Sequence, residues 1–225
     1  MSLLLAGLTI LVVGDSHLAY GEHKEYLITT LHDELMQHGA QVYSYGVCGA
    51  KARDLMYGMK IPYCGFAFRL NNEKIRWRPK DMGPTASLPE LVKKFHPDLV
   101  VVVNNDTLAG YKDAALNKTW IWEEVRSLTM GIKASGTSCV WVGPAWGSEG
   151  GKYGKTFAKA RELSDYLADI VAPCIYINSL AMSTHGEWKT LDGVHLMAAG
   201  YRMWGSAIAS QIVSSDILQQ TVRQK

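Results

Sequence analysis

Asp98-Leu99-Val100-Val101-Val102-Val103-Asn104-Asn105-Asp106 is the stretch around which the rest of the chain organises itself. Its uniformly apolar run, Leu99 to Val103, leaves no polar face. Such a strand is covered on both sides, as in a parallel sheet packed between helices. The run then breaks into Asn-Asn-Asp, a polar turn at the strand's carboxyl end. Open α/β sheets bind their ligands at that edge.

Working outward, four further short β-branched runs read as strands, at residues 8–13, 41–46, 138–142 and 174–178. Amphipathic stretches alternate with them. Tyr26, Leu27, Leu31 and Leu35 form one apolar face, and Gly39 supplies the stop. Ser87-Leu88-Pro89-Glu90 reads as a capping box that opens a helix to Phe95. Residues 120–132, 156–170 and 197–213 carry the remaining helical patterns. Strands alternating with helices imply a three-layer α/β/α fold. One segment departs from this rhythm, at about residues 58–84. Alternation on either side of Asn71-Asn72 suggests a small, basic hairpin inserted into a connection, either a solvated excursion or a lid over substrate.

The 225 residues suit a single domain spanning 1–225. A net charge of +2 gives no footing for nucleic acid or a membrane surface. No apolar run reaches the roughly 18 residues of a membrane span. Residues 3–13, interrupted by Gly7 and Thr9 and lacking a basic leader, read as an entry segment and first strand. A signal trimmed ahead of Met1 would make the protein periplasmic or secreted; otherwise it is cytoplasmic. Oligomeric state leaves no mark in the sequence. Cys48 and Cys64 each precede a glycine in loop-like sequence, where they either pair or stay free. Cys139 and Cys174 open apolar segments and read as buried thiols. No spacing resembles a zinc site, and neither metal nor cofactor is expected.

The chemistry-bearing residues fall at the carboxyl ends of these strands. Ser16 follows the first strand in Gly14-Asp15-Ser16. Such a tripeptide is also a good turn and helix cap. Asp192-Gly193-Val194-His195 sets a carboxylate three residues before a histidine. That spacing lets the acid orient one imidazole nitrogen while the other takes a serine proton. Gly49 after the second strand and Asn105 after the third are candidate donors to an oxyanion. His17, Trp146 and Trp188 are candidate substrate-binding residues beside the site. Gly150-Gly151-Lys152-Tyr153-Gly154-Lys155-Thr156 comes close to a phosphate-binding loop, but Glu149 occupies a position that must be glycine. It reads instead as a flexible loop leading into a helix.

Taken in order, Ser16, Gly49, Asn105 with Asp106, and Asp192 with His195 resemble the four blocks of the SGNH hydrolase superfamily, the GDSL-like esterases and lipases. The resemblance implies a flavodoxin-like five-stranded parallel sheet of order 2-1-3-4-5. It also implies a Ser16-His195-Asp192 triad, with an oxyanion hole from the N–H groups of Ser16 and Gly49 and the Asn105 amide. Two departures stand out. His17 replaces the usual leucine, a variant similar to the branch acting on cell-envelope sugars and O-acetyl groups. Val103 and Asn104 stand where a glycine normally precedes the Asn-Asp pair. The implied activity is hydrolysis of short-chain acyl esters, acetyl above all, on a small molecule or glycan. A carbohydrate O-acetyltransferase using the same triad, or a non-catalytic glycan-binding module, are the alternatives.

Overall fold

The structure, a computed structural model, describes residues 4–19 and 25–214. The middle of its five parallel strands is β5 (Leu99–Val103), every residue buried. It is flanked in parallel by β1 (Thr9–Gly14) and β6 (Ser138–Val142). Outside these lie β2 (Gln41–Val47), parallel to β1, and β7 (Ile175–Ile177), parallel to β6. Alternate side chains leave the sheet on opposite faces, as the pleat requires. Ile10, Val12, Val101 and Val140 pack on one face with Leu31 and Leu35 of α1 (Thr30–Gln37) and Trp204 and Ile208 of α6 (Ala198–Ser214). Leu11, Val13, Val100 and Trp141 face the opposite layer. That layer contains α2 (Ala52–Tyr57), α3 (Leu88–Phe95), α4 (Lys118–Ala134) and α5 (Phe157–Ile170). Capping at α3 follows the sequence, with Glu90 accepting from the Ser87 N–H and Ser87 Oγ accepting from the Glu90 N–H. No helix among the described residues is long and apolar enough to cross a membrane.

One expectation needs correction. The sheet has seven strands and is mixed, in the order β4-β3-β2-β1-β5-β6-β7, not five and wholly parallel. Its two extra strands, β3 (Phe66–Leu70) and β4 (Arg76–Arg78), come from the inserted segment. They pair antiparallel, β3 on β2 and β4 on β3. An exposed edge on β2 would leave a row of backbone groups without partners, and the hairpin covers it. Its turn is latched by His32, whose Nδ1 lies 2.8 Å from Ser44 Oγ and whose Nε2 lies 2.9 Å from the Asn71 carbonyl.

One pair of cysteines also departs from expectation, and the other settles an open alternative. Cys139 and Cys174 form a disulfide rather than two buried thiols, and Cys48 and Cys64 form a second. The first of these bridges links neighbouring strands, where parallel pairing brings the segment starts together. Apolar neighbours alone could not reveal that proximity.

Candidate active site

β1 and β5 run side by side, with Gly14 paired to Val103. A Cβ on Gly14 would lie 2.4 Å from the Val103 carbonyl oxygen, so only glycine lets the two strand ends converge. This convergence sets the Ser16 turn against the Asn105 turn. Asp15 ties them together. One of its carboxylate oxygens accepts from the His17 N–H at 3.0 Å and the other from the Asn105 N–H at 3.3 Å. Burial pushes the Asp15 carboxyl above its ordinary range, against the pull of neighbouring His17.

Ser16, nearly buried, donates to His195 Nε2 at 2.8 Å. His195 Nδ1 lies 2.7 Å from Asp192 Oδ2, while Asp192 Oδ1 accepts from the N–H groups of Val194 and His195. The aspartate thus folds back on its own turn, as its three-residue spacing allows. Burial opposes ionisation of Asp192, but these donors and the imidazole hold its carboxyl below the usual range. For His195, burial followed by the neighbouring His17 depresses the pKa, and Asp192 offsets only part of that. A neutral imidazole with Nδ1–H directed at Asp192 makes Nε2 the acceptor facing Ser16 Oγ.

Two further residues carry candidate N–H donors: Gly49, in the same cavity wall as Ser16, and Asn105, whose turn is tied to that of Ser16 through Asp15. Gly49 has φ +75°, and a Cβ there would press on the Tyr63 ring at 3.0 Å. Asn105 is fully buried; its Oδ1 accepts from Trp141 Nε1 at 3.3 Å, and its Nδ2 has no partner among the described residues. A buried donor without an acceptor costs about 1–3 kcal/mol. Asn104, by contrast, spends its amide on the Ala50 carbonyl at 2.8 Å.

Behind this row sits a buried ionic cluster that sequence reasoning missed. Asp106 receives His17 Nε2 and the Tyr111 hydroxyl, and lies 2.7 Å from Lys155 Nζ. Lys155 is fully buried and also donates to the Ala145 carbonyl at 2.9 Å. Burial alone would keep Asp106 neutral, but Lys155 and His17 hold its carboxyl far below the usual range. Lys155 is the lysine of the near-phosphate-loop stretch, and it is committed to Asp106. That stretch is stapled as well, by paired backbone bonds between Gly150 and Lys155. Thr156 caps α5 by accepting from the Lys159 N–H. The only signal in the sequence was a lysine among glycines, which carries no periodicity.

A cavity of about 510 Å³ opens in front of Ser16 and His195, with Gly49, Asp106 and the Cys48–Cys64 bridge in its wall. Tyr63, Tyr111 and Tyr153 supply its aromatic surface, and Thr107, Lys112 and Asp113 its polar one. Trp146 and Trp188 are not among its lining residues. Trp146 is buried against Phe157 and His185 and donates to the Leu180 and Ser183 carbonyls; Trp188 lies in the core beneath α6. Proximity in sequence to the site loops did not report their depth. His17 is also buried, and meets the cavity wall through Asp106 and the His195 ring rather than lining it.

The fold is that of the SGNH/GDSL-like hydrolases. A catalytic mutant of Axe2, an acetylxylan esterase from Geobacillus stearothermophilus, superposes with a TM-score of 0.62 at 15% identity, covering 92% of this chain and 94% of that one. A GDSL-like lipase from Bacteroides thetaiotaomicron gives 0.56 at 14% identity, covering 91% of this chain and 87% of its own. No family model matches the sequence. Protein BcsX of Komagataeibacter xylinus is 40% identical over 210 residues, 92% of this chain and 78% of that protein. The chain belongs to the family of Protein BcsX.

Proposed function

We propose that the protein is a serine-dependent acyl hydrolase that cleaves short-chain esters, acetyl esters above all, carried on carbohydrate. The observation that carries this reading is the unbroken chain from Ser16 to His195 to Asp192, at 2.8 and 2.7 Å, opening on a cavity. In this mechanism Ser16 Oγ attacks the acyl carbonyl as its proton passes to His195 Nε2. Asp192 holds the imidazole in the required tautomer and stabilises the imidazolium that forms. The tetrahedral oxyanion takes hydrogen bonds from the backbone N–H groups of Ser16 and Gly49 and from Asn105 Nδ2. His195 then protonates the departing alcohol, and an acyl-enzyme remains on Ser16. Water entering by the same route, with His195 again as base, releases the acid.

The cavity wall is mostly aromatic and apolar with a few polar groups, a combination that fits the flat face and the hydroxyls of a sugar ring. Tyr63, Tyr111 and Tyr153, together with Asp106, Thr107, Lys112 and Asp113, suit a sugar ring better than a long acyl chain. Acetylxylan esterases among proteins of the same fold add weight to the acetyl assignment. If a sugar hydroxyl replaces water in the second step, the same residues perform O-acetyl transfer. The deciding experiment compares 4-nitrophenyl acetate, butyrate and octanoate on wild type and Ser16→Ala, followed by product analysis on an acetylated oligosaccharide. Turnover fastest on acetate, reduced about 10⁴-fold or more in Ser16→Ala, is expected. Equal inactivity of both proteins on every ester would sink the hydrolase reading, and preference for octanoate would sink the short-acyl one.

A further inference from the structure

Asp106 poses an electrostatic problem. A carboxylate held in its charged form lies in the wall of the cavity that also contains Ser16 and His195, one residue from Asn105. Attack by Ser16 would create a second negative charge nearby, on the substrate oxygen. Asp106 and Lys155 are themselves buried, and charges there interact far more strongly than in solution. An unbalanced Asp106 would therefore raise the barrier of the very step that the oxyanion donors lower.

Lys155 bears on this directly. It is fully buried, its ammonium lies 2.7 Å from Asp106 Oδ1, and the Ala145 carbonyl holds it at 2.9 Å. Its loop is anchored on the other limb of the site too. The Ser148 N–H donates to the Gly193 carbonyl at 3.1 Å and the Lys152 N–H to the Asp192 carbonyl at 2.9 Å. Residues 148–155 thus brace the turn that carries Asp192 while delivering one positive charge to Asp106. Burying a lysine is costly, and a surface position would serve if the loop needed only an anchor.

We propose that Lys155 is a positioning residue for the reaction: its ammonium, beside His17, offsets the charge of Asp106, so that Asp106 can hold His17 and Tyr111 in place without opposing the oxyanion. This rests on the hydrolase reading above. Lys155 touches no substrate in this account and acts only through Asp106.

The test is Lys155→Met, which keeps the length of the side chain and removes the charge, alongside the double variant Lys155→Met/Asp106→Asn, which removes both charges. Each is assayed on 4-nitrophenyl acetate, with folding checked by circular dichroism and thermal melting. The expected result is a folded Lys155→Met with kcat at least tenfold lower and KM within about twofold of wild type. The double variant should recover at least fivefold of that loss. A merely structural lysine would lower the melting temperature without this split between kcat and KM. Wild-type kcat in folded Lys155→Met overturns the proposal, and so does a folded double variant no faster than the single one. Where Lys155→Met does not fold, the double variant decides alone: kcat within about tenfold of wild type supports charge balance, and a larger deficit, or failure of this charge-neutral pair to fold, overturns it. Failure of the hydrolase reading looks different, because wild type would then turn over no ester and Ser16→Ala would change nothing.

Discussion

Asn105 is a buried amide whose Nδ2 meets no acceptor among the described residues, while its Oδ1 accepts from Trp141 Nε1. Under the proposed mechanism the missing acceptor is the oxyanion. Asn105→Ala is therefore expected to lower kcat by about 10²–10³-fold with little change in KM. Steady-state kinetics on an acetyl ester check this, and a loss confined to KM would contradict it. The residue scale also fixes a pH dependence. His195 must be neutral to accept the Ser16 proton, and burial with His17 nearby depresses its pKa. The acid limb of kcat/KM should accordingly have its midpoint below the ordinary imidazole value of about 6.5, so activity persists on mild acidification. A midpoint above that value would mean that Asp192 outweighs burial.

At the scale of elements, the hairpin β3–β4 is held to the parallel sheet by a titratable latch. His32 is fully buried, bridges Ser44 and Asn71, and has its pKa lowered to about 4, mainly by burial. In the unfolded chain the same imidazole titrates near 6.5, so between these values the unfolded state binds more protons. Stability is undiminished by this group above pH 6.5 and falls as the pH drops towards 4, by up to about 3 kcal/mol. Urea denaturation at pH 7 and pH 4.5 should show the loss, and His32→Gln should flatten its pH dependence. If the slope is the same in both proteins, the latch is not the source. The element scale also explains what periodicity missed. α2 has only six residues, too few for a 3.6-residue repeat to register, and it is fixed by a tertiary contact, Glu124 accepting from the Arg53 N–H.

For the whole molecule, the two disulfides matter most. Cys48–Cys64 spans 16 residues and Cys139–Cys174 spans 35. Each restricts the unfolded chain, and loops of this size are worth about 3–4 kcal/mol in the chain-entropy account. Alkylation of the denatured, unreduced protein should label no cysteine. Reduction should lower the thermal midpoint by several degrees or more. Because Cys48 and Cys64 line the cavity, Cys48→Ser/Cys64→Ser is expected to perturb ester turnover more than the Cys139→Ser/Cys174→Ser pair at matched temperature below both melts. Free thiols in the unreduced protein would remove this distinction.

The sequence by itself determined the alternation of strands and helices and the position of the main polar groups. Apolar runs such as Leu99 to Val103 encode burial locally, and Gly-Asp-Ser or Asp-x-x-His encode turns whose side chains interact within a few residues. The Asp192–His195 contact was legible for that reason, whereas Ser16 and His195 stand 179 residues apart and were linked only through the resemblance of the ordered motifs to a known family. Only the tertiary structure decided the hairpin's place on the β2 edge, the pairing of Cys139 with Cys174, the depth of Trp146 and Trp188, and the burial of Lys155 on Asp106. Each depends on contacts between residues far apart in the chain, and a pattern read along one dimension carries no distance across it. Lys155 is the clearest instance. In sequence it is a lysine among glycines, and 49 residues separate it from the carboxylate that gives it a role.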